Sequence, residues 1–286
     1  MTRRGLTTTA AAALAAACSP LSLFNRFSPK DQGSRQVARD VAYGPGPRQK
    51  LDLYAPATPP EGGAPILTFL YGGSWDSGER KLYAWAARAF ASRGFVTAVP
   101  DYRLVPEVRF PAFVEDAAAA VATAREAGAR WGGDPDRLVL AGHSAGAHIV
   151  MLLALDHRYL AASGLDPKSV KAAAGLAGPY DFYPFDVPAS IAAFGQAPDP
   201  RATQPISFAR ADAPALFLAH GERDTLVYPR NSIRLSEAVR TTGGEAELKL
   251  YPALDHVQIL LALSRPLRGK APVLDDVTRF LHAHAG

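Results

Sequence analysis

Short apolar runs alternate with longer helix-period stretches along most of this chain. Residues 66–70, 95–99, 138–141, 170–175 and 215–220 are apolar, short and bounded by turn residues, the pattern of strands buried on both faces. Residues 49–54 and 245–251 alternate apolar with polar, which reads as an edge strand and a last strand. Helical periodicity covers about 81–92, 113–131, 145–155, 229–241 and 271–284. Strands separated by helices of ten or more residues imply right-handed crossovers. The expected fold is therefore α/β, a mainly parallel central sheet with helices on both faces, formed as one domain over residues 46–286. Residues 176–209 are irregular and aromatic, and read equally well as a short lid, a pocket wall or a surface-packed loop.

The stretch Leu138-Val139-Leu140-Ala141 runs into Gly142-His143-Ser144-Ala145-Gly146, and a helical pattern follows at once. A strand, a sharp turn and a helix place Ser144 at the apex, with Gly142 and Gly146 removing Cβ atoms where backbones must approach. Ser144 is the candidate nucleophile. A serine hydroxyl needs an adjacent base, and His256, after the last strand, is the best of seven histidines. His143 is directed elsewhere in the turn, His148 reads as packed, His157, His282 and His284 as solvated, and His220 as shaping the rim. Asp224, just after the run 215–220, is the candidate acid that orients the base. Glu222 is its runner-up, and Asp255 ranks lower because neighbours in sequence rarely face one another. For an oxyanion, the expected donors are the N–H groups of Ala145, Gly73 and Ser74.

These segments together resemble the α/β-hydrolase superfamily, specifically its esterase/lipase branch of hormone-sensitive-lipase-like and feruloyl-esterase-like carboxylesterases. The resemblance covers roughly residues 40–285 and is carried by Tyr71-Gly72-Gly73-Ser74-Trp75, Asp101 to Leu104, Phe110-Pro111-Ala112 with Asp116, the serine turn, and His220 to Asp224. It departs at Tyr71, where the family has histidine. It implies a brace under the nucleophile for Asp101 and Arg103, and a similar role for Asp116. It also implies ester hydrolysis through an acyl-enzyme, with no metal and no organic cofactor. Little sequence remains for a large lid, so short-chain or small aromatic carboxylic esters are the expected substrates. Arylformamidase-type amide hydrolysis is the first alternative. A non-catalytic envelope binding protein of the same fold is the second.

Composition changes this picture little. The net charge is +4 over 286 residues, and no basic block suggests nucleic acid. The amino terminus adds more. Arg3-Arg4, a small apolar stretch from Thr7 to Ala17 and Cys18, the one cysteine, read as an export signal over residues 1–18. Ala15-Ala16-Ala17-Cys18 resembles a bacterial lipoprotein cleavage box, which suggests a lipid anchor at Cys18 in the cell envelope. Residues 19–45 are polar and contain Pro and Gly, and are expected to be a linker.

Overall fold

The apolar runs become neighbours in one eight-stranded sheet in the computed structural model, which describes residues 20–286. The strands are β1 (Ser34–Ala42), β2 (Lys50–Pro56), β3 (Ala64–Leu70), β4 (Val96–Pro100), β5 (Gly133–His143), β6 (Val170–Leu176), β7 (Ala215–Gly221) and β8 (Ala246–Tyr251). Their spatial order is β1-β2-β4-β3-β5-β6-β7-β8. β2 is antiparallel to both its neighbours, and every pairing from β4 to β8 is parallel. β3, β4 and β7 are buried along their whole length, whereas β8 at the edge is not.

The helices are α1 (Pro20–Phe27), α2 (Ala84–Ala91), α3 (Ala112–Ala129), α4 (Ala145–Leu155), α5 (His157–Ala162), α6 (Pro188–Phe194), α7 (Arg230–Thr241), α8 (His256–Leu261) and α9 (Val273–His284). α2 and α9 pack on each other and on the sheet; α3, α4 and α5 form a second packed group against it. The paired registers bring Leu70 beside Gly142, His143 beside Leu176, and Gly221 beside Tyr251. The carboxyl ends of β3, β5, β6, β7 and β8 thus share one rim, the place where open α/β sheets bind ligands.

The structure corrects three readings. Residues 19–45 are not simply a linker, because they contain α1 and β1. β1 pairs with β2, so residues 49–54 are not the edge of the sheet. β1 was hard to see because only Ser34 is buried along it and its pairing carries two register shifts. β5 begins at Gly133 and so extends beyond the apolar run 138–141, with an irregularity opposite Pro65/Ile66. The export signal and Cys18 lie outside the described residues.

The amino-terminal segment is tied down by specific contacts. The Phe24 ring meets Trp85 edge-on at 5.2 Å. Arg268 donates to both carboxylate oxygens of Asp31, at 2.9 and 3.1 Å. Arg88 donates to the Asp31 carbonyl at 3.0 Å and to Ser34 Oγ at 3.1 Å. Starting the chain at residue 46 bares the β2 edge. Such a truncation is expected to lower the melting temperature by about 5 °C or more, or to aggregate. An unchanged melting curve would return these residues to the status of a linker.

Candidate active site

Gly142 and Gly146 are required by close packing. A Cβ on Gly146 would lie 2.1 Å from the Leu70 carbonyl oxygen, and one on Gly142 would lie 2.5 Å from the Gly146 oxygen. Ser144 sits between them at φ 54°, ψ −123°, a conformation that L-residues avoid. It is held there by its N–H, which donates to the Leu176 carbonyl at 2.9 Å, and by the start of α4 directly after it.

His256 is the first residue of α8. Asp255 caps that helix, accepting from the N–H groups of Val257 and Gln258 at 3.0 and 2.8 Å, while Gln258 returns a bond to the Asp255 N–H. This capping box occupies Asp255 and fixes the direction of the next side chain. His256 Nδ1–H donates to Asp224 Oδ2 at 2.7 Å, which leaves Nε2 free to accept from Ser144 Oγ at 2.9 Å. Three residues from distant parts of the chain thus form one hydrogen-bonded line. Glu222, the alternative acid, is exposed.

Asp224 is buried, which opposes its ionisation, but hydrogen bonding from His220 and His256 outweighs burial and holds it well below the usual carboxylate range. Its Oδ1 accepts from Leu226 and Val227 N–H at 2.9 and 2.8 Å. His143, in the turn itself, is directed at the base: its Nε2–H donates to the His256 carbonyl at 2.9 Å. Burial and the nearby His256 push the His143 imidazole down to about 3, so it is neutral throughout the neutral range. His148 donates Nε2–H to the Thr203 carbonyl at 2.8 Å and is fully buried, a packed histidine as expected. His157 is exposed. His282 and His284 are not simply solvated, since they bond the Arg93 carbonyl and Glu245.

The loop after β3 lies against the serine, since a Cβ on Gly72 would meet Ser144 Cβ at 2.9 Å. Gly73, Ser74 and Trp75 follow with φ of 130°, 50° and 61°. Among the described residues, the N–H groups of Gly73 and Ser74 bond no acceptor. Ala145 is the first residue of α4, where an N–H has no partner within the helix.

Tyr71 stands where the resemblance expects histidine, and it is held from several sides. Its ring is buried between Tyr83 and Tyr102, each centroid 5.0 Å away. Its hydroxyl donates to Asp101 Oδ1 at 2.8 Å and accepts from Arg48 at 2.9 Å, and its carbonyl accepts from the Tyr102 hydroxyl at 2.9 Å. Asp101 also accepts from the Arg80 side chain and N–H, and Arg80 reaches Asp52 at 3.0 Å and Asp40 as well. Asp101 therefore braces the loop, but with Arg80 and not with Arg103. Arg103 instead forms a forked pair with buried Asp116, at 2.8 and 2.9 Å. Spacing could not reveal Tyr71, Arg80, Asp52 or Arg48 as one cluster, because they meet only in three dimensions.

Within the aromatic stretch 176–209, Phe182 and Phe194 pack against Trp75 of the loop after β3. Phe194 meets Trp75 edge-on at 4.7 Å, Phe182 stacks on Trp75 at 6.0 Å, and both approach His148, at 5.2 and 5.5 Å.

The BD-FAE family model matches residues 51–239, which span the loop after β3, the serine turn and the acid. The chain belongs to the BD-FAE family. It is 32% identical over 277 residues to a probable isoprenylcysteine alpha-carbonyl methylesterase, ICMEL1, of Oryza sativa subsp. japonica, covering 87% of this chain and 63% of that one. It is 31% identical over 261 residues to esterase LipQ of Mycobacterium tuberculosis, covering 85% and 61%. The chain thus spans under two thirds of these relatives' length. In fold it superposes on esterase B from Lactobacillus rhamnosis, inhibited by a tributyrin phosphonate, with TM-score 0.80, 20% identity and coverage of 97% and 94%. For this BD-FAE member, Tyr71→Phe strips a hydroxyl from Asp101 and Arg48. The expected cost is about 1–3 kcal/mol, read as a lowered denaturation midpoint; an unchanged midpoint would show that the hydroxyl does not brace the loop.

Proposed function

We propose that this protein is a serine carboxylesterase acting through an acyl-enzyme. The observation that carries the reading is the continuous Ser144–His256–Asp224 line at 2.9 and 2.7 Å, beside a loop with unengaged N–H groups. In the first step His256 Nε2 takes the Ser144 proton as Oγ bonds to the ester carbonyl carbon. The carbonyl π pair moves to oxygen, which the N–H groups of Ala145, Gly73 and Ser74 receive. The tetrahedral centre collapses, the C–O bond to the alcohol breaks, and His256 Nε2–H protonates the leaving oxygen. Water then repeats the sequence on the acyl-enzyme, delivering the carboxylic acid and restoring Ser144. Asp224 stays ionised and stabilises the imidazolium in both halves.

Short-chain or small aromatic carboxylic esters fit this site best. What supports that reading is the wall of Trp75, Phe182 and Phe194, closely packed next to the donor loop.

A fluorophosphonate probe is expected to label the protein at Ser144, and Ser144→Ala to abolish labelling. Asp224→Asn is expected to lower kcat by about 10³-fold or more. Labelling that persists in Ser144→Ala would remove the assignment. On a substrate panel, 4-nitrophenyl acetate and butyrate should turn over faster than emulsified long-chain esters and than N-formylkynurenine. Preference for the formamide would favour the arylformamidase alternative, and preference for the emulsion would overturn the substrate class.

A further inference from the structure

We propose that His220 is a positioning residue: its Nε2–H shares the Asp224 carboxylate with His256 and so sets how strongly that carboxylate holds the imidazolium. This rests on the triad reading above.

The tautomer of His220 follows from its partners. The ring is fully buried at the end of β7, with Nε2 2.8 Å from the Val227 carbonyl oxygen and Nδ1 2.8 Å from Ser232 Oγ on α7. A carbonyl oxygen only accepts, so Nε2 carries the proton. Nδ1 is therefore bare and accepts from the Ser232 hydroxyl. The same Nε2–H lies 3.2 Å from Asp224 Oδ2, the oxygen that receives His256 Nδ1–H at 2.7 Å. In the opposite tautomer a bare nitrogen would face two acceptors, which is unfavourable in a buried place.

Val227 links the geometry to the acid loop. Its N–H donates to Asp224 Oδ1 and its carbonyl accepts from His220. The turn 224–227 is thus gripped from both sides, and Asp224 faces four N–H groups, two near each oxygen. The other titratable neighbour is His143 from β5, which burial keeps neutral. Asp255 on α8 is engaged by its own helix, and Glu222 and Arg223 are exposed. Asp224 is accordingly the charge that His256 feels most directly. Each donor on the carboxylate draws negative potential away from His256. Removing the His220 donor strengthens the hold on the proton, so the imidazolium persists to higher pH.

The test is the pH profile of kcat/KM on a soluble 4-nitrophenyl ester, for the wild type, His220→Gln and His220→Leu. In His220→Leu the acid limb should move up by about half a pH unit or more, with kcat reduced and KM changed by less than about twofold. His220→Gln, which can return an N–H toward Oδ2, should restore the limb. An unmoved limb in His220→Leu, or an equal shift in both variants, would overturn the proposal. Should His220→Leu fail to fold, ¹⁵N-histidine NMR of the wild type decides: His220 must carry its proton on Nε2, and a proton on Nδ1 would sink the idea. That measurement needs no turnover, so it stands even if fluorophosphonate labelling rejects the triad itself.

Discussion

One backbone constraint governs the site: Ser144 is held at φ 54°, a conformation costing about 1–3 kcal/mol, between glycines that admit no Cβ. Such strain persists only where the surroundings over-determine it. Here β5 lies between β3 and β6, the Ser144 N–H is bonded to β6, and α4 begins at the next residue. The consequences are geometric. The turn projects the hydroxyl at the rim, brings the Leu70–Gly72 backbone into contact, and leaves the Ala145 N–H without a partner within its helix. The proposed nucleophile and oxyanion donors are therefore set by the same packing, and neither can relax without the other.

Two polar clusters support this arrangement, and they use different electrostatics. Under the loop after β3, buried Arg80 gathers Asp52, Asp101 and Asp40, while Arg48 and Tyr71 complete the set. Formal charges serve well there because the cluster has only to be rigid: removing one partner of a buried pair leaves an uncompensated charge. Behind the base, the neighbours of Asp224 are histidines and backbone N–H groups. His143 stays neutral because burial disfavours its charged form. A fixed cation at that place would compete with the imidazolium that the proposed mechanism forms on His256. Neutral donors hold the carboxylate in position and still leave its charge to the base.

Much of this architecture was legible in the sequence because its signals are local. The apolar runs from residue 66 to 220 declare a buried parallel sheet, and Gly142 to Gly146 declares a strand–turn–helix. That Ser144, His256 and Asp224 come together was legible since each follows a predicted strand, and such ends meet at one rim. What was illegible depends on contacts distant in sequence. β1 is half-exposed, irregular in register and bound by Arg88 at Ser34, so no periodicity marks it. Asp101 and Arg103 look like partners by spacing, yet Arg80 and Asp116 take them separately. The direction of His143 depends on where α8 begins, and that is decided by the Asp255 capping box just before His256, which lies 112 residues beyond Ser144 in the chain.

The aromatic wall is bound into the same unit. Trp75 directly follows Ser74, one of the candidate oxyanion donors, and shares its left-handed backbone. Its carbonyl accepts from the Val105 N–H at 2.9 Å, and its ring is enclosed by Phe182, Phe194 and His148. His148 stands on α4 one turn after the nucleophile, with its N–H bonded to the Ser144 carbonyl at 3.1 Å. A change of shape at Trp75 is therefore transmitted in two directions, along the loop to the donors and through His148 to the helix that begins at the serine. Close-packed aromatic contacts resist small displacements, so Trp75, its loop and the helix that begins after Ser144 form one mechanical element.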